Sequence, residues 1–148
     1  MFLGLTMIKD VVITNLDIIN TPGGDVMHAM KKTDNGFKSF GEAYFTHIHK
    51  GAIKGWKRHK EMTLNLTVPV GKVRFVLFDE RIVSDKKFQE IIISKDNYCR
   101  LTVPPMIWLG FQGISDGKSL LLNIASIIHN PNEIEKKNIE QIKFDWNK

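Results

Sequence analysis

Cysteine is almost absent from this chain: Cys99 is the only one in 148 residues. No internal disulfide can form, and a reducing, cytoplasmic compartment is expected. Long hydrophobic runs are missing too, and no stretch approaches the roughly 20 apolar residues of a membrane-spanning helix. The apolar start MFLGLTM has no basic n-region and runs straight into Lys9 and Asp10, which argues against a signal peptide; Met7 offers an alternative start. Negative charge is the scarcer sign, with 16 Asp and Glu against 21 Lys and Arg. The resulting net charge of +5 favours an anionic partner. The basic residues crowd one short segment with no helix-turn-helix or RNP-like aromatic pattern beside them, so neither nucleic acid nor membrane is the expected partner. There is no internal repeat, low-complexity segment or linker, and one domain over residues 1–148 is expected. Apolar residues make up 43% and charged residues 25%, a globular composition rather than a disordered one.

What is present reads as strand after strand. Val11 to Thr14, Asp25 to Met30, Met62 to Val70, Val73 to Asp79, Phe88 to Ser94, Tyr98 to Val103, Ile107 to Gln112 and Leu120 to Ala125 are short apolar runs. Turn residues separate them, among them Thr21-Pro22-Gly23-Gly24-Asp25, Asp34-Asn35-Gly36, Pro104-Pro105 and Ser115-Asp116-Gly117. Glu42 to His49 alternates, which places Tyr44, Thr46 and Ile48 on one face and Phe45, His47 and His49 on the other. Gly71-Lys72 between two apolar runs predicts a hairpin. The tail is expected to be short and helical or irregular, its helix signal being Asn130 as cap, Pro131 in the first position and Ile134 as the first apolar residue. Many short strands without a long amphipathic helix predict an all-β sandwich or barrel.

The stretch from Gly51 to Asp79 organises the rest. Its spacing resembles the first cupin motif, a glycine followed by His-x-His, a glutamate and a second glycine. Gly51, Lys57-Arg58-His59 and Gly71 fall in that frame, with Lys57 at the first histidine and Leu64 near the glutamate. In the second motif the glycine position is Met106 and the histidine position is Leu109. Of the metal ligands of the pattern only His59 remains, so neither a metal nor another cofactor is expected. More specifically, Gly51-Ala52-Ile53-Lys54-Gly55 and Val103-Pro104-Pro105 with Gly110-Phe111 resemble the metal-free dTDP-4-keto-6-deoxyhexose 3,5-epimerases. Gly55-Trp56-Lys57-Arg58-His59-Lys60 and Leu122-Asn123-Ile124-Ala125-Ser126 resemble the related 3,4-ketoisomerases. The resemblance to these RmlC-like cupins implies a jelly-roll fold, a homodimer, and a nucleotide-linked sugar, most often a dTDP-sugar, as partner in surface-polysaccharide synthesis. It also implies departures: the epimerases' catalytic histidine falls at Lys57, their tyrosine near Leu122, and their histidine-partnering carboxylate in a tail that this chain is expected to lack.

Enolisation beside a ketone needs a base for the α-proton, a donor for the enolate and an acid to return the proton. His59 is the better base on its ordinary pKa. Lys57, on the same strand face by alternation, is either a base of lowered pKa or an ammonium that stabilises the enolate or holds a phosphate. Tyr44, if directed inward, is the acid or enolate donor. Lys54, Arg58, Asn123 and Trp108 are the candidate substrate-binding residues, Trp108 by stacking on a base. Each has a structural alternative: the basic group as a solvated strand edge, Tyr44, Trp56 and Trp108 as packing, His47 and His49 as surface residues. A non-catalytic sugar-nucleotide-binding cupin is the competing function.

Overall fold

The structure is a computed structural model and describes residues 7–81 and 87–148; the start of the chain through Thr6, considered above for a signal peptide, lies outside the described residues. The strands are β1 (Val12–Asn15), β2 (Ile18–Thr21), β3 (Gly24–Met27), β4 (Glu42–His49), β5 (Ile53–His59) and β6 (Leu64–Val70). They continue as β7 (Lys72–Asp79), β8 (Lys87–Ser94), β9 (Cys99–Val103), β10 (Trp108–Gly113), β11 (Lys118–Ala125) and β12 (Ile134–Lys136). Two five-stranded antiparallel sheets, in the orders β1-β9-β6-β11-β4 and β12-β5-β10-β7-β8, carry the fold, and β2 and β3 form a separate hairpin around Pro22 and Gly23. This is the expected all-β jelly roll. Among the described residues no helix is long and apolar enough to cross a membrane.

Apolar side chains from both sheets, including Ile48, Leu66, Val68, Phe75, Leu101 and Leu121, form the main core between them. Cys99 lies in this core, and burial pushes its thiol up to about 11, so it stays protonated and unreactive at neutral pH. A second apolar cluster forms on the outer face of the β5-β10-β7 sheet, where Trp56, Val76, Phe78 and Trp108 are covered by Ile142 and Trp146 from the C-terminal segment.

One expected connection is corrected. The hairpin at Gly71-Lys72 does not form: β6 pairs with β9 and β11, and β7 with β8 and β10. Each of these strands is central in its own sheet, so Gly71 carries the chain from one sheet to the other. It does so at φ +88°, and a Cβ there would stand 2.3 Å from the Ser119 hydroxyl oxygen, a place that only glycine fills without displacement. Of the two forms expected for the tail, the irregular one is found. Asn130 caps it as expected, accepting the Asn132 N–H at 3.0 Å, but a single 3-10 turn (Pro131–Glu133) ends at Ile134, which opens β12 on the free edge of β5. The positions of Arg58 and Trp108 are described with the site.

Candidate active site

A cavity of about 990 Å³ opens between the sheets at the β4 and β5 edges, large enough for a nucleotide-sized ligand. β4 and β11 supply Tyr44 and Asn123, β5 supplies Lys54, Lys57 and His59, and Leu66, Leu109 and Leu121 contribute to its apolar lining. The segment from Lys136 to Gln141 completes the wall.

Alternation alone would separate Lys54 from Lys57, because three residues along a strand reverse the face. A bulge brings them together. Leu109 pairs with Lys57 and Phe111 with Lys54, so Gly55 and Trp56 stand opposite the single residue Gly110. The bulge needs close backbone approach: a Cβ on Gly55 would lie 3.0 Å from the Gly110 Cα, and one on Gly110 would meet the Trp56 and Trp146 rings at 3.2 Å. Lys136 is the direct cross-strand neighbour of Lys57. Lys54, Lys57 and Lys136 therefore converge on one cavity, and none of the three forms an ion pair among the described residues. Lys57 lines the cavity and is exposed to water at its mouth. Desolvation, followed by repulsion from Lys136 and Lys54, lowers its pKa against the opposing pull of Glu133.

His59 ends β5 and is buried. Its Nδ1 meets Glu133 Oε2, and the Glu133 Oε1 accepts the N–H groups of Glu61 and Met62, each at 2.9 Å. Burial would raise the Glu133 carboxyl, but the bonds from His59, Met62 and Glu61 hold it below the ordinary glutamate value. Glu133 is thus a carboxylate and can only accept, so Nδ1 carries the imidazole proton and Nε2 keeps its lone pair. Burial lowers the His59 pKa despite the Glu133 contribution, which keeps the ring neutral at pH 7. The carboxylate expected to be missing is the one that would partner a histidine at the position of Lys57; Glu133 instead partners His59, a pair the sequence reading did not foresee. Its sequence signal was weak: one glutamate three residues beyond a recognisable Asn130-Pro131 cap.

Tyr44 and Asn123 are cross-strand neighbours on β4 and β11. The Asn123 side-chain N–H donates to the Tyr44 hydroxyl oxygen at 3.0 Å, while the Asn123 carbonyl oxygen accepts the Asn65 N–H at 3.2 Å. That bond fixes the amide and leaves the phenolic proton available to a ligand. Asn123 contacts the cavity and also orients Tyr44.

Arg58 and Trp108 are the two candidate residues outside this cavity. Arg58 is turned to the opposite face of β5 between Lys57 and His59, and Trp108 is buried there, 2% exposed. The Arg58 guanidinium lies 4.6 Å from the Trp108 ring centroid, and the Trp108 indole N–H donates to Glu80 at 3.0 Å. Neither can reach a ligand between the sheets. His47 is exposed on the outer face of β4 and His49 is exposed at its end, and among the described residues no three metal-ligating side chains converge.

No family model matches the chain. A spore coat polysaccharide biosynthesis protein of Bacillus subtilis is 24% identical over 147 residues, spanning 95% of this chain and 97% of that protein. The solved structure of a 3,4-ketoisomerase from Helicobacter canadensis is 26% identical, with a TM-score of 0.72 over 86% of this chain and 91% of its own. A dTDP-sugar isomerase from Desulfovibrio desulfuricans superposes with a TM-score of 0.85 at 32% identity, over 89% of this chain and 86% of its own. That identity, held across most of both chains on the same jelly roll, makes this chain a member of the dTDP-sugar isomerase and epimerase family of RmlC-like cupins.

Proposed function

We propose that this chain, as one cupin domain, isomerises or epimerises a nucleotide-linked 4-keto-deoxysugar by enolisation. The observation that carries the reading is the meeting, in one cavity, of a neutral imidazole, an oriented phenol and lysines without ion-pair partners. His59 Nε2 takes the proton from the carbon next to the ketone, and the electron pair moves onto the ketone oxygen. Tyr44 donates to that oxygen, or the Lys57 ammonium neutralises it. Return of a proton to the same carbon from the other face inverts it; return to the neighbouring carbon, with the ketone relocated, moves the carbonyl. Lys54 and Lys136 suit the diphosphate of a sugar nucleotide, since Lys136 faces Lys57 across paired strands with Lys54 lining the same cavity, and like charges gathered there repel until an anion arrives.

The test is solvent deuterium incorporation into dTDP-, GDP- and CDP-4-keto-6-deoxysugars, read by NMR. Incorporation with inverted configuration at C3 or C5 identifies an epimerase, and a ketone found at C3 identifies a ketoisomerase. Binding of the same nucleotides without incorporation would replace this reading with that of a non-catalytic sugar-nucleotide-binding cupin.

The same reading places the chain in the cytoplasm as a homodimer. Support for the dimer comes from the outer face of β4 and β11, where Phe45 is 62% and the nearby Phe40 is 65% exposed, beside a shallow apolar hollow that includes Met30, Phe37, Leu122 and Ile124. Sedimentation equilibrium should give twice the chain mass, and Phe45→Glu should give the monomer. A wild-type chain that sediments as a monomer at 50 µM, a concentration of order 10⁻⁵ M well above the Kd of a stable dimer, would overturn the assignment.

A further inference from the structure

The cluster behind the cavity wall is ionic, largely shielded from water and unused by the chemistry above. Arg58 donates from Nη2 to Glu135 at 2.6 Å and stands 3.5 Å from Glu80 through Nη1. Glu80 also accepts from the Trp108 indole, and Lys137 approaches both Glu80, at 3.9 Å, and the Trp108 ring, at 5.0 Å from its centroid. We infer that Arg58, Glu135 and Glu80 are positioning residues whose ion cluster sets the register of β12 on β5, and so delivers Glu133 to His59 and Lys136 to the cavity.

β12 is a strand of three residues. It pairs with β5 through three residues, Ile134 with His59, Glu135 with Arg58, and Lys136 with Lys57, and the backbone ladder continues by reciprocal Trp56–Lys137 bonds at 3.0 Å and by the Lys60 N–H to the Glu133 carbonyl at 2.8 Å. The outer pair that faces the cavity is lysine against lysine, which disfavours this register. A slip by one residue would reverse every side chain, turning Glu135 into the cavity and Lys136 out of it. Backbone bonds alone do not prevent that, because each register offers a similar ladder. The central pair does: Arg58 and Glu135 face each other across the strands on the side away from the cavity, and the guanidinium is held on its other flanks by Glu80 and Trp108. Glu133 precedes β12 immediately, so the register also decides whether its carboxylate reaches the His59 ring and the Glu61 and Met62 N–H groups.

The inference depends on the proposed reaction only for its activity arm. The primary readout is the imidazole tautomer and titration of His59, followed by ¹⁵N-histidine NMR in the full chain. Wild type should show Nδ1–H and a pKa below the ordinary histidine value. Glu135→Gln and Arg58→Lys should each lower the Nδ1–H population and move the titration. Asp116→Asn, which breaks the exposed Lys50–Asp116 pair instead, should change neither. If the parent turns substrate over, kcat should fall about tenfold to 10²-fold in the two single variants, as misplacement of a reacting group by about an ångström does. Circular dichroism establishes folding, and Glu80→Gln serves as the milder variant if either single change unfolds the chain. A wild-type His59 spectrum in folded Glu135→Gln, Arg58→Lys or Glu80→Gln would overturn the inference, whether or not any turnover is found.

Discussion

His59→Asn should reduce solvent deuterium incorporation by roughly 10²- to 10⁴-fold, the usual worth of a positioned general base. Asparagine is the informative replacement because its side-chain N–H can stand near the place of Nδ1 and keep a donor toward Glu133, while nothing replaces Nε2. Nucleotide affinity should change little, since the lysines that suit the diphosphate are untouched. The pH dependence separates this from a general loss of structure. Burial lowers the His59 pKa, so the wild-type rate should rise with pH through a value below the ordinary histidine pKa of about 6.5 and then level off. That acid limb should vanish in His59→Asn. Incorporation at the wild-type rate in the variant would remove His59 from the mechanism; a lost rate with lost binding would place it in substrate recognition instead.

The alternating strand was the most legible part of this fold. Glu42 to His49 reads directly as β4 because its residues alternate between two faces, one carrying Tyr44 and Thr46 to the cavity and Ile48 to the core, the other leaving Phe45, His47 and His49 exposed. Strands buried on both faces carry no such pattern, which is why β6 and β7 looked like the two arms of a hairpin. Apolar runs joined by a glycine state that both are strands, not which sheet each joins. Lys54 and Lys57 share a face because of a bulge that the sequence marks only with Gly55. Arg58 and Trp108 read as ligand contacts by residue type, but basic and aromatic residues serve ion clusters and binding sites alike, and the structure places both on the strand face away from the cavity. Glu133 was missed for another reason: it lies 74 residues from His59, and no local pattern records a partner at that separation. Local chemistry could nominate His59, Lys57, Tyr44 and Asn123, whereas the carboxylate that sets the His59 tautomer is a product of topology.

Glu133 accordingly offers the second large effect, and two substitutions there separate its roles. Glu133→Ala leaves the His59 Nδ1–H and the Glu61 and Met62 N–H groups without their acceptor. Orphaned donors in a buried site each cost about 1–3 kcal/mol, so the unfolding free energy should fall by about 3–5 kcal/mol in denaturant titration. Glu133→Gln keeps an oxygen for the two backbone donors but turns its amide N–H toward the ring. Two donors cannot face each other, so the imidazole should move its proton to Nε2 and accept at Nδ1. The variant should be folded and nearly as stable, yet its turnover should fall almost as far as that of His59→Asn because the lone pair no longer faces the cavity. Acid stability gives an independent check. The folded pKa values of His59 and Glu133 are both depressed, so each contributes stability that is full above its unfolded value and is lost as pH falls through its folded one. Wild type should therefore weaken first below about pH 6.5 through His59 and again below about pH 4.5 through Glu133; in Glu133→Gln the second loss should shrink. Full activity in a folded Glu133→Gln would mean that the His59 ring needs no carboxylate to keep Nε2 basic.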